Sequence, residues 1–182
     1  MSSSQYPYPV FTAEGQPALT PGMAAQAVIP ASPPRQGAAA NFGNWPLRSH
    51  LELAALPTVP SFARMHARVM LAEWKLAVPR DDTELVVSEL TTNALGASPA
   101  AGENPAVIRL WLLSDAARLV IVVWDASREP PQLTGALLLD EHGRGLNIVA
   151  TLSSDWGWFS RPDMGGKCVW AVIRKPPAGF MA

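Results

Sequence analysis

The chain has 182 residues, 48% of them hydrophobic, which is room for one domain and enough apolar side chain to build its core. Fourteen basic against fifteen acidic residues leave a formal charge of -1, so no global surplus marks a binder of nucleic acid or of an anionic membrane. Cys168 is the only cysteine, which excludes an intrachain disulfide and agrees with a reducing, cytoplasmic setting.

The first residues lack both a basic n-region and an unbroken apolar stretch, so no secretory signal is expected. The longest apolar runs, such as 119–124, are too short to span a bilayer. Residues 1–46 hold eight of the eighteen prolines and only two charged residues, Glu14 and Arg35, without helical or alternating periodicity. Residues 1–44 are therefore expected to be a disordered or extended Pro/Ala-rich tail. The globular domain is placed at 45–176, with a short tail at 177–182.

From Trp45 the pattern changes. Leu47, Ser49, Leu51 and Leu53 alternate with Arg48, His50 and Glu52, as in a half-buried strand that Pro57 and Pro60 end. Ser61 is the expected cap of a helix whose apolar face is Phe62, Met65, Val69, Leu71 and Trp74 and which stops near Pro79. Asp81 or Asp82 should cap a second helix, through Leu85, Val86, Leu90 and Leu95, that fades at Gly96 and Pro99. Strands are expected at 106–113 and 118–125, joined as a hairpin by a turn at Ser114-Asp115-Ala116. Residues 126–142, with Pro130-Pro131 and Gly135, read as a loop long enough to be a lid. A helix over 144–152, a strand over 155–160, a turn over 161–166 and a closing strand over 167–174 complete the order. The fold class this implies is α+β: a two-layer sandwich of a mixed, mostly antiparallel sheet with helices on one face.

Chemistry concentrates in four places. Glu89 and Asn93 lie four residues apart on the second helix, which stacks a carboxylate and a carboxamide one turn apart on one face. An isolated pair of this kind is more often an exposed acid and a helix-end hydrogen bonder. Asp125 closes the apolar run Val122-Val123-Trp124-Asp125, where a strand-end turn former is the bland alternative to a ligand contact. Gly143-Arg144-Gly145-Leu146 opens a helix, whose free N–H groups suit phosphates, and Arg144 could add a fork of donors. Gly165-Gly166-Lys167 enters the last strand. The three histidines, His50, His66 and His142, are too scattered for a metal site, and Cys168 reads as a small buried hydrophobe.

The order and spacing of these motifs resemble the Bergerat, or histidine-kinase-like, ATP-binding fold shared by gyrase, Hsp90, histidine kinases and MutL. The likeness covers roughly residues 47–175 and is greatest to the small anti-sigma regulatory factors of the RsbW and SpoIIAB type, which are serine-protein kinases. The resemblance implies ATP with Mg2+ as cofactors. It gives Glu89 the role of general base and Asn93 that of magnesium ligand. It makes Asp125 the acceptor of the adenine amino group, with Gly143, Arg144, Gly145, Leu146 and Lys167 as further nucleotide contacts. Ser61-Phe62-Ala63-Arg64 is similar to the segment whose arginine faces a sigma factor or an anti-anti-sigma (STAS-type) protein, so Arg64 is the expected partner contact. A homodimer is compatible with this group. No direct contact with nucleic acid or membrane is implied.

Three departures mark this chain. Ala97 stands where many relatives carry a His or Lys, the loop Ala126-Ser-Arg-Glu-Pro-Pro lacks the glycines of the wider superfamily, and Cys168 replaces a threonine near the adenine. Together they motivate an alternative: a nucleotide-binding interaction module with weak or no catalysis. A detached histidine-kinase catalytic domain fits less well, because the chain shows no dimerisation helix with a phospho-accepting histidine.

Overall fold

The computed structural model describes Val10–Phe11, Arg35–Gln36, Ala40–Asn41 and residues 45–98, 106–131, 145–161 and 163–175. Three two-residue strands, β1 (Val10–Phe11), β2 (Arg35–Gln36) and β3 (Ala40–Asn41), precede β4 (Leu47–Ala54), α1 (Val59–Glu73) and α2 (Arg80–Ala97). The remainder is β5 (Val107–Ser114), β6 (Arg118–Asp125), α3 (Gly145–Leu152), β7 (Asp155–Ser160) and β8 (Lys167–Arg174). β1 pairs with β3, and the main sheet runs β2-β7-β8-β6-β5-β4. Its five long strands are antiparallel to their neighbours, and β2 joins β7 in parallel, which makes the sheet mixed, as expected.

The hairpin between β5 and β6 shows how local chemistry fixes register. Asp115 Oδ1 accepts the N–H groups of Ala117 and Arg118 at 3.1 and 3.0 Å, and Ala116 takes the left-handed φ of 69°. An aspartate side chain that mimics a backbone turn in this way closes a tight reversal. The register then places Ser114 opposite Leu119 and runs unbroken to Arg109 opposite Trp124.

Period-two alternation sends Ile108, Leu110, Leu112, Leu119, Ile121, Val123, Val169, Ala171 and Ile173 to one face, where they pack with the helices. Trp111, Leu113, Val120, Val122, Trp124, Cys168 and Trp170 line the other face, also buried. Trp156 and Trp158 share the helix-facing side, as their spacing predicts. The run of near-continuous burial along β6 is what a central strand covered on both faces requires.

The first helix differs from its predicted form at its end, which falls at Glu73 rather than near Pro79, and also at its start and in its buried face. It begins at Val59 after Thr58, with Pro60 inside the first turn and without a side-chain cap; Ser61 is a helical residue. Proline is tolerated there because first-turn N–H groups have no intrahelical acceptor. Its buried stripe is Val59, Ala63, Ala67 and Leu71, whereas Phe62, Met65 and Val69 are 50%, 56% and 53% exposed. Small alanines let α1 and α2 approach closely, and that close approach outweighs the size of the larger side chains in choosing the inward face.

In α2 the cap is Pro79, and Asp81 and Asp82 occupy the first turn, where their charge complements the helix dipole. The helix passes through Gly96 to Ala97. Its buried stripe is Thr83, Val86, Val87, Leu90, Thr91 and Ala94. Both threonines satisfy their hydroxyls within the helix, Thr83 on the Pro79 carbonyl at 2.6 Å and Thr91 on the Val87 carbonyl at 2.7 Å. Among the described residues no helix is long and apolar enough to cross a membrane.

Candidate nucleotide site

The pleat decides which side chains share a site. In β6, Leu119, Ile121 and Val123 face the helices, so Asp125, two residues on, points to the same layer. In β8, Val169, Ala171 and Ile173 face the helices, and Lys167 continues that parity. The ladder sets Asp125 directly opposite Lys167. The two side chains meet in a buried ion pair, Lys167 Nζ to Asp125 Oδ1 at 2.8 Å, with side-chain exposures of 2% and 1%.

Oδ1 of Asp125 also accepts the backbone N–H of Ser127 at 2.9 Å. Its other oxygen, Oδ2, is buried and has no hydrogen-bond partner among the described residues. Burial is the main influence on this carboxyl and raises its pKa above the usual carboxylate range; Lys167 and the Ser127 N–H oppose that rise. A buried acceptor left open on an otherwise engaged carboxylate is a place for a donor from a ligand.

The turn that delivers Lys167 requires its glycines. Gly165 and Gly166 have φ of 68° and 80°. A Cβ on Gly166 would overlap the carbonyl oxygen of Asp125 and come within 2.8 Å of Ala126 Cα. Only glycine lets the backbone of this turn lie against the end of β6. The turn is held from outside by Arg161, which makes a two-pronged ion pair with Asp163 at 2.8 and 2.6 Å and whose N–H donates to the Gly166 carbonyl at 3.0 Å. Trp124 Nε1 donates to the Gly165 carbonyl at 2.8 Å.

The remaining candidate residues lie where α2 packs against α3. Glu89 and Asn93 are half-buried beside the apolar stripe of α2, and neither has a side-chain partner among the described residues. Glu89 reaches the first residue of α3: a Cβ on Gly145 would stand 2.5 Å from Glu89 Oε2. Leu146 is 4% exposed and anchors α3 in the core, so its part in the site is to fix the helix end. Gly143 and Arg144 lie outside the described residues, as does 132–142 of the expected lid.

Arg64 does not project freely. Its guanidinium donates to Ser88 Oγ at 2.7 Å and to Ser61 Oγ at 3.3 Å, which ties α1 to the residue preceding Glu89. Ala97 is half-buried at the last position of α2. Cys168 faces the side of the sheet away from Asp125 and is fully buried, which pushes its thiol pKa up to about 12. Among the described residues no group of three or more metal-ligating side chains is present.

Ser127 and Arg161 were not singled out by the sequence motifs. Asp125-Ala126-Ser127 carries the spacing of an aspartate turn, which is a usable local signal. Arg161 has only Arg161-Pro162-Asp163, whose ion pair depends on the turn geometry.

The two-layer α+β sandwich thus carries an open carboxylate acceptor at the end of a central strand and a second carboxylate beside the first residue of α3. The model of the histidine kinase-like ATPase domain matches residues 51–173, and the chain belongs to that family. The matched stretch includes every site residue named above and stops before the end of β8. No curated protein matches the chain at a significant level. The open Oδ2 of Asp125 fits the family's nucleotide, since an exocyclic amine is the donor that position lacks.

Proposed function

We propose that this protein is an ATP-binding regulatory kinase of the anti-sigma type, acting in the cytoplasm. It binds a sigma factor, or phosphorylates a serine on an anti-anti-sigma (STAS-type) partner, or does both. The nucleotide half of this reading is supported above all by the buried, unpartnered Oδ2 of Asp125.

At the other end, Glu89 and Asn93 supply what phosphoryl transfer asks of a protein. The reaction needs positioning and charge stabilisation more than covalent chemistry. Asn93 offers a neutral oxygen to magnesium without adding charge beside Glu89. Glu89, near the amino end of α3, takes the proton of the attacking serine hydroxyl. The first N–H groups of α3 favour the negative phosphates. Bound ATP supplies the phosphoryl group.

A protein partner is supported by the surface of the helices. Phe62, Met65 and Val69, at helical spacing on one face of α1, are 50%, 56% and 53% exposed, an apolar stripe that a partner could cover. Arg64, held by Ser88, and Arg68, paired with Glu84 at 2.6 Å, lie on the side of α1 that faces α2.

Calorimetry with ATP and magnesium tests the first half of the reading; folded protein that takes up no adenine nucleotide rules it out. Transfer of radiolabel from ATP to a candidate antagonist domain tests the second, and Glu89→Ala should abolish it. Ala97 favours one alternative, a nucleotide-gated interaction module without chemistry. Nucleotide-dependent capture of a partner with no transfer would establish that alternative instead.

A further inference from the structure

Lys167 enters the site with more hydrogen-bonding capacity than its ion pair uses. Its ammonium has three N–H donors, and the Asp125 carboxylate takes one. Burying a lysine at 2% exposure is costly unless each polar group gains a partner. Here the ammonium and the Ser127 N–H both fall on Oδ1, and Oδ2 stays open.

The helix-facing wall of the sheet therefore presents an acceptor, Asp125 Oδ2, next to a donor, Lys167 Nζ. Adenine presents the complement of that pair on one edge: its 6-amino group donates and the adjacent N1 accepts. A 6-oxo purine presents the reverse order, a carbonyl beside an N1–H. The register that sets Asp125 opposite Lys167, together with the Gly166 contact that brings the turn against Asp125, holds donor and acceptor at one level of the sheet.

We propose that Lys167 is a base-specificity residue, its ammonium donating to N1 of adenine while Asp125 Oδ2 accepts from the 6-amino group. The buried ion pair then reads two adjacent atoms of the base. This rests on the site being an ATP site, and extends it by giving a ring atom to a side chain whose structural alternative is charge neutralisation alone.

The test compares ATP with its 1-deaza analogue, in which N1 becomes C–H, by calorimetry on the full chain with magnesium. Loss of a charged hydrogen bond should weaken binding of the analogue about ten- to a hundredfold. In Lys167→Met that difference should vanish, with ATP itself weakened to the level of the analogue. Because Lys167→Met leaves Asp125 without its cation, the double variant Asp125→Asn/Lys167→Met, which removes both charges, serves if the single variant does not fold. Equal binding of ATP and analogue by the wild type overturns the role of Lys167 and leaves the ATP reading standing. Discrimination that persists without Lys167 overturns it too. Failure of the folded wild type to bind ATP removes both.

Discussion

The two ends of the site are built on opposite plans. Where the base is proposed to bind, Asp125 and Lys167 are buried, bonded to each other and locked by strand register, with one oxygen left open. Where the phosphates are proposed to bind, Glu89 and Asn93 are half-buried and without partners among the described residues, and Glu89 lies against Gly145 at the start of α3. Base recognition asks for fixed donors and acceptors in a dry wall, because selectivity comes from leaving the wrong base unsatisfied. Phosphate and metal handling asks for groups that reorganise as a hydrated cation arrives. On the proposed function, substitutions at the first end should act mainly on stability and those at the second mainly on chemistry.

Substitutions should separate the two ends, and the largest effect on stability falls at the base end. Asp125→Asn leaves Lys167 buried without an anion and should cost about 3–5 kcal/mol in urea unfolding. Retention of full stability would mean the pair is not as dry as its burial indicates. Gly166→Ala forces a side chain into the Asp125 carbonyl at a left-handed φ and should cost roughly 3 kcal/mol, lowering Tm by about 6–12 °C.

The paired change at the phosphate end, Gly145→Ala, meets only the far end of the Glu89 side chain, which can move. It should alter stability by about 1 kcal/mol or less while displacing the carboxylate, so that phosphoryl transfer falls without a change in Tm. Glu89→Gln, keeping size and removing charge, should leave unfolding within about 0.5 kcal/mol of wild type and reduce transfer roughly a hundredfold or more. A large loss of stability in either variant would erase the contrast between the ends.

The smallest expected effect lies on the far face of the sheet. With its thiol raised to about 12, Cys168 carries roughly one part in ten thousand as thiolate at pH 8, so it should resist alkylation in the folded protein and react at once in denaturant. Rapid native labelling would show that this face opens.

Much of the frame was legible because periodicity is local. The bounds of 118–125, 155–160 and 167–174 were read from alternation and turn residues alone, and they recur in the structure. The α1 face was misread because Phe62, Met65 and Val69 form a convincing apolar stripe, and only the partner helix reveals that the alanine stripe is the one buried. The caps differ for a similar reason: Ser61, Asp81 and Asp82 are good capping residues, but Pro60 is accommodated in a first turn that needs no N–H donor, and α2 starts at Arg80 directly after Pro79.

The sequence by itself determined the residue types of the site and their order: an E-x-x-x-N helix, a strand closing on Asp125, a glycine-bearing helix start and a Gly-Gly-Lys entry to the last strand. Helical and strand periods fix which side chains share a face within one element, so those assignments need no partner. Only the tertiary structure decided that Asp125 meets Lys167, that Oδ2 is the oxygen left open, that Glu89 reaches Gly145 and that Arg64 turns inward to Ser88. Each of those contacts joins elements distant in the chain. Strand register and helix packing set them, and neither is encoded in any single segment.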